Sequence, residues 1–199
     1  LDLSSGSMTV NGETSTETGI RTLYSAYNTL AAFAVACRLG LSELEAASAL
    51  SGFTLKNGRL RNWNIDDKRV TLLTSKHENS VSYNESFLVA AARGGEVLVL
   101  VDAVSRKYFT SDTSWLYDID FSILNSESIK KVWLAGKYLY DLRLRAELAK
   151  IPEEKIKMLK SLDDLPGAFA GEDDLYVCTC FSDRDKVISR LPANADETE

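Results

Sequence analysis

Apolar strands alternating with helical periods predict an α/β domain built on a mostly parallel sheet. Glu96 to Val101 (EVLVLV) and Lys131 to Ala135 (KVWLA) have almost no polar face, as strands covered by helices on both sides do not. A short strand is expected at Ile156 to Leu159 and a further strand at Leu175 to Cys180, and the segments between them repeat with helical spacing. The expected architecture is therefore three-layered and Rossmann-like.

From the start, Leu1 to Gly19 mixes apolar triplets with Ser, Gly and Thr, the pattern of a hairpin or a loosely packed arm. Leu23, Tyr27, Leu30, Ala34, Cys37 and Leu41 recur at helical spacing, with Gly40 as the stop. Ser42 followed by Glu45 signals a capping box for a second helix ending near Gly52. Residues 59–65 and 69–75 read as two strands joined by Asp66, Asp67 and Lys68. A helix over Glu85 to Arg93 stops at Gly94 and Gly95, and another runs from Lys137 to Lys150. Ser161 opens a helix, and Ser182 to Arg190 form the last one. The domain reading is 1–54, 55–192 and an acidic tail, 193–199, expected to be disordered.

Composition excludes several classes. The 199 residues are 45% hydrophobic and 26% charged, which suits an ordered chain with a buried core. A net charge of -6 argues against nucleic acid, whose phosphates require a basic face. No apolar run reaches the roughly 20 residues of a membrane span, and no signal peptide is visible. Three sparse cysteines fit a reducing compartment, so a cytoplasmic location is expected. The first Met stands at position 8, and the chain reads as a piece of a longer protein.

Few residues suggest chemistry. Cys178 and Cys180 flank Thr179 on one strand and face the same way. With one histidine in the chain no zinc site is expected, and the cysteines read as buried structural thiols. His77 lacks an identifiable nucleophile or orienting group and reads as loop decoration. Asp141 and Arg145 have the i, i+4 spacing of a helix-surface ion pair. The unusual stretch is SDTSWLYDIDF, Ser111 to Phe121, which sets Asp112, Asp118 and Asp120 around three aromatics after a buried strand. Carboxylates there fit three roles: binding a metal-nucleotide, orienting a histidine, or capping a turn.

Taken together, five segments resemble one family. Tyr24 to Ser42 (YSAYNTLAAFAVACRLGLS) is similar to the end of the Mur ligase central domain, with Tyr24, Tyr27 and Asn28 matching its pattern. Gly58 and Arg59 with their hairpin resemble the entry into the C-terminal domain. SDTSWLYDIDF resembles the DVSWLWDVDF motif of MurT-type subunits of lipid II isoglutaminyl synthase. Gly136 to Ala149 (GKYLYDLRLRAELA) and the ending LYVCTCFSDRDKVISRL resemble that family's helix and last strand, with Thr179 matching. A KNPAGFN-like segment keeps only Lys76 and Asn84, and the connection from Asp102 to Asp112 is longer than the family's.

The resemblance implies a Mur ligase C-terminal domain preceded by a remnant of the central domain. It implies part of a ligase that uses ATP and Mg2+ to activate the D-glutamate α-carboxyl of lipid II, as an acyl phosphate that ammonia attacks to give isoglutamine. The ammonia would come from a GatD-like glutaminase subunit, and Asp112 would complete that partner's Cys-His pair in trans. Lys76, Asn84 and Asp118 would contact substrate or nucleotide. The phosphate loop belongs to a part absent from this sequence, so the chain alone is expected not to turn over ATP. The other reading is a non-catalytic interaction module that kept the fold.

Overall fold

The computed structural model describes residues 6–10, 12, 14–17, 23–51, 59–77, 79–104 and 112–198. Gly52, Gly58 and Ser111, and most of the connection from Asp102 to Asp112, lie outside the described residues. The chain divides into two compact units, 1–56 and 57–199.

The first unit has a hairpin, β1 (Ser7–Val10) and β2 (Thr14–Glu17), and two helices, α1 (Leu23–Arg38) and α2 (Glu43–Ser51). Helix α2 opens as its capping box requires: the Glu45 carboxylate accepts from the Ser42 N–H at 2.8 Å, and Ser42 Oγ accepts from the Glu45 N–H at 3.3 Å. Its buried core is small, Met8, Phe33, Ala46 and Ala47. Tyr27, Val35, Leu39 and Leu44 are more than half exposed, so much of this unit's apolar surface faces solvent.

The second unit is a seven-stranded sheet, in order of chain: β3 (Leu60–Ile65), β4 (Lys68–Ser75), β5 (Gly95–Leu100), β6 (Ile129–Ala135), β7 (Ile156–Leu159), β8 (Leu175–Cys180) and β9 (Asp196–Thr198). Their spatial order is β7-β6-β5-β8-β4-β3-β9. The five strands from β7 to β4 are parallel, and β3 pairs antiparallel with β4 and β9. Helices α3 (Ser80–Arg93), α4 (Leu139–Leu148), α5 (Leu165–Phe169) and α6 (Arg184–Ile188) cover it. The alternation of side chains divides the core cleanly. Val97, Val99 and Cys178 pack with α3 and α4 residues, while Leu98, Leu100 and Val177 pack with α5 and α6 residues. The α/β, mostly parallel reading holds.

Three differences have physical causes. Helix α3 begins five residues before Glu85 because the Asn79 side chain accepts from the Ser82 N–H and caps it there. The tail expected to be disordered instead adds β9 to the sheet. Pairing with β4 leaves the other edge of β3 open, and the tail closes it, with Arg61 forking onto Glu197 and Asn194 bonding Asp66. The helix opened by Ser161 starts as a 3₁₀ turn, Leu162–Asp164, before α5.

Gly136, immediately after β6, is required by its surroundings. Its φ is +99°, and an added Cβ would fall 2.3 Å from the Val101 carbonyl oxygen. That close approach lets the chain turn from β6 into α4 directly beside the end of β5.

Candidate functional site

Because β4, β8 and β5 are neighbours, their carboxyl ends place Ser75 beside Cys180, and Leu100 beside Thr179. The residues that follow converge there, where open α/β sheets hold ligands. Asp183, fully buried, is the hub. It accepts from the backbone N–H groups of Asp102 (2.8 Å) and Ala103 (3.0 Å), from the Cys180 thiol (3.3 Å) and from Lys186 Nζ (2.7 Å). Lys186 also donates to Asp102, whose second oxygen accepts from the Lys137 N–H at 2.8 Å. Partial burial pulls the Lys186 ammonium down, but its two carboxylates raise it overall.

His77 Nε2 lies 3.2 Å from Cys180 Sγ, so this residue is more than loop decoration. The pair is not a nucleophile with its base. Burial, with Asp183 adding, pushes the Cys180 thiol up to about 12, and Cys178 is raised by burial alone. Both are neutral thiols at physiological pH, as structural cysteines are.

The 112–121 segment is built differently, from two 3₁₀ turns, Ser114–Asp118 and Phe121–Asn125. Trp115, Leu116, Ile119 and Phe121 are buried anchors; Trp115 packs against Tyr83 at 5.7 Å and Phe121 meets Phe87 edge-on at 5.4 Å. The polar residues between them face out. Asp112 is exposed, and its carboxylate accepts the Ser114 N–H at 2.8 Å, which lowers its pKa below the usual carboxylate value.

Helix α4 grips this segment. Asp141 accepts from Thr113 Oγ1 at 2.9 Å, and Arg145 donates to the carbonyls of Leu116 (3.1 Å) and Ile119 (2.9 Å). The expected surface pair between Asp141 and Arg145 is thus replaced: both side chains turn to the neighbouring turn, which offers fixed partners instead of a solvated one. Arg143, on the same helix, pairs with Glu147 and Glu153.

Among the residues expected to contact ligands, Asn84 sits on α3 and accepts the Asp120 N–H at 2.8 Å, joining the 112–121 segment. Asp118 is exposed at the end of the first turn, and Lys76 is exposed just past β4, beside His77. Sequence reasoning missed Asp102, Asp183 and Lys186 as parts of one network, and Arg145 as the donor that holds the 112–121 segment. The available signal was position: Asp102 directly follows the apolar run 96–101, and Asp183 stands three residues past the end of β8. No group of three or more His, Cys, Asp or Glu among the described residues is arranged to hold a metal ion. The buried carboxylate is already saturated with donors, so the network does not fit a magnesium centre.

The model of the MurT ligase C-terminal family matches residues 77–182, more than half of the chain. The chain is 30% identical over 128 residues to lipid II isoglutaminyl synthase (glutamine-hydrolyzing) subunit MurT of Staphylococcus aureus strain COL, covering 64% of this chain and 29% of that protein. It is 26% identical over 151 residues to the subunit of the same name from Streptococcus pneumoniae strain R6, covering 76% and 33%. The chain therefore spans about a third of the length of these relatives. In fold it is similar to the UDP-N-acetylmuramoylalanyl-D-glutamyl-2,6-diaminopimelate–D-alanyl-D-alanyl ligase of Acinetobacter baumannii (TM-score 0.64, 16% identity, 89% of this chain and 38% of that one). It is also similar to the UDP-N-acetylmuramate-alanine ligase MurC of Thermotoga maritima (TM-score 0.60, 10% identity, 89% and 40%). With its α/β sheet, its DTSW turn and the family match coinciding, this chain belongs to the MurT ligase C-terminal family.

Proposed function

We propose that this chain is the glutaminase-facing part of a ligase subunit that amidates the D-glutamate α-carboxyl of lipid II to D-isoglutamine. The observation that carries the reading is Asp112: an exposed carboxylate, held by the Ser114 N–H, on a turn anchored by Trp115. In this reading a GatD-like glutaminase docks here and presents a histidine to Asp112. The carboxylate fixes the imidazole tautomer and stabilises the imidazolium formed as a thiol nucleophile is deprotonated. As an exposed carboxylate Asp112 is ionised at neutral pH, as the role requires, and the Ser114 N–H bond lowers its pKa further.

ATP with Mg2+, bound in the complete subunit, supplies the activation of the acceptor carboxyl. The residues of this chain assigned to that chemistry in this reading are Lys76, exposed just past β4, and Asp118, exposed at the end of the Ser114–Asp118 turn. A cation and a carboxylate there suit contacts that close over a bound nucleotide, not a phosphate cradle. A second reading, a non-catalytic module with the same fold, is favoured by one observation. His77, in the segment that departs from the KNPAGFN-like pattern, is engaged with Cys180.

Asp112→Asn in the complete ligase–glutaminase complex separates the readings. Asn retains capping ability and shape but loses the charge. Glutamine-dependent amidation should fall by orders of magnitude while free ammonia restores the product. Activity within about twofold of the parent would make Asp112 a structural cap.

A further inference from the structure

We infer that Arg145, with Asp141, is a positioning residue that sets the orientation of Asp112. The inference rests on the proposed role of Asp112. An Asx-type bond from Ser114 to Asp112 would by itself suffice to start the turn. The fold adds far more. Thr113, next to Asp112, is tied to Asp141 on α4. The far end of the same turn is tied through the Leu116 and Ile119 carbonyls to Arg145, one turn further along that helix.

The Arg145 guanidinium uses both its edges and its faces. Two N–H groups reach two carbonyls, and its carbon stands 4.9 Å from the centre of the Tyr117 ring and 5.6 Å from that of Phe121. Only a planar fork with a flat face fills this arrangement, and lysine does not. From the other side, Asn84 on α3 holds the Asp120 N–H. The turn carrying Asp112 is thus fixed at three points by two helices that are themselves packed on the sheet through Tyr83, Phe87, Leu142 and Ala146. A carboxylate that must meet an imidazole on another chain needs this, because a misplacement of about 1 Å can cost a hundredfold in rate.

The test uses Arg145→Lys and Thr113→Val in the complete ligase–glutaminase complex, beside Asp112→Asn. Amidation is followed with glutamine and with free ammonia, and hydrogen exchange is followed at the amides of residues 113–119. Both clamp variants should lose about tenfold or more of glutamine-dependent activity, keep ammonia-dependent activity within about twofold, and speed exchange in 113–119. Unchanged exchange in both variants overturns the clamp, whatever Asp112→Asn does. Faster exchange with undiminished glutamine-dependent activity, while Asp112→Asn is defective, overturns the positioning role. Parallel loss with glutamine and ammonia overturns it too, because the damage is then general. Full activity of Asp112→Asn removes the functional reading itself, and this inference with it.

Discussion

Cys180 Sγ stands 3.2 Å from His77 Nε2 and 3.3 Å from an oxygen of Asp183, yet burial and the Asp183 carboxylate hold it as a thiol. A Cys-His pair is nucleophilic when a positive environment lowers the thiol pKa. Here burial and the adjacent carboxylate act in the opposite direction. Alkylation at pH 7.5, followed by mass spectrometry, should modify the half-buried Cys37 well before Cys178 or Cys180. Labelling of Cys180 as fast as Cys37 would refute the assignment.

The same two thiols predict how stability depends on alkaline pH. An unfolded thiol has a pKa of about 8.5. In the folded chain Cys180 is raised to about 12 and Cys178 is raised as well. The folded state therefore keeps protons that the unfolded state releases, and stability falls as pH rises above the unfolded value. Their contribution is fully present below about pH 8.5, and each thiol adds a slope of about 1.4 kcal/mol per pH unit above it. Urea unfolding at pH 8 and pH 10, compared with a Cys178→Ala, Cys180→Ala chain, isolates the effect. Equal slopes for the two chains would exclude it.

Asp183 ties the end of β8 to the end of β5 through two backbone N–H groups and Lys186. Asp183→Ala strands buried donors and should cost about 3 kcal/mol. Asp183→Asn keeps an acceptor and should cost less, which a urea midpoint comparison measures. A loss below about 0.5 kcal/mol for the Ala variant would show that water replaces the carboxylate.

These cases show where the sequence was readable. Strands β5 and β6 were legible because burial on both faces removes every polar position. The start of α3 was not, because Ser80, Val81 and Ser82 have poor helix propensity and the Asn79 cap outweighs them. Strand β9 was hidden by composition: three acidic or polar residues pair only because β3 offers an open edge. The turn after Asp112 was legible through its run of aromatics, of which the fold buries Trp115 and Phe121. Arg145 was half-legible, since i, i+4 spacing shows which residues share a helix face but not what that face meets. Asp183 was invisible as a hub because its backbone donors, Asp102 and Ala103, stand 81 and 80 residues away.

Asn84 offers a last discrimination, between a ligand contact and a backbone tie. Its carboxamide oxygen accepts the Asp120 N–H at 2.8 Å, and Asp120 in turn caps the second 3₁₀ turn through Ser122. If the tie is its role, the requirement is an acceptor and nothing more. Asn84→Asp then keeps the bond and should leave melting within a degree or two, whereas Asn84→Ala should lower stability by about 1 kcal/mol. That loss corresponds to roughly 2–4 °C for a chain of this size. If Asn84 instead contacts a nucleotide, the pattern inverts. The added negative charge of Asp would repel phosphate and raise the KM for ATP in the complete complex, with Ala the milder variant. Melting curves of both variants, read beside that KM, decide between the two. A thermally silent Ala variant would show that the Asp120 bond contributes nothing to stability, and an ATP KM raised most by Asp would then assign the residue to the ligand.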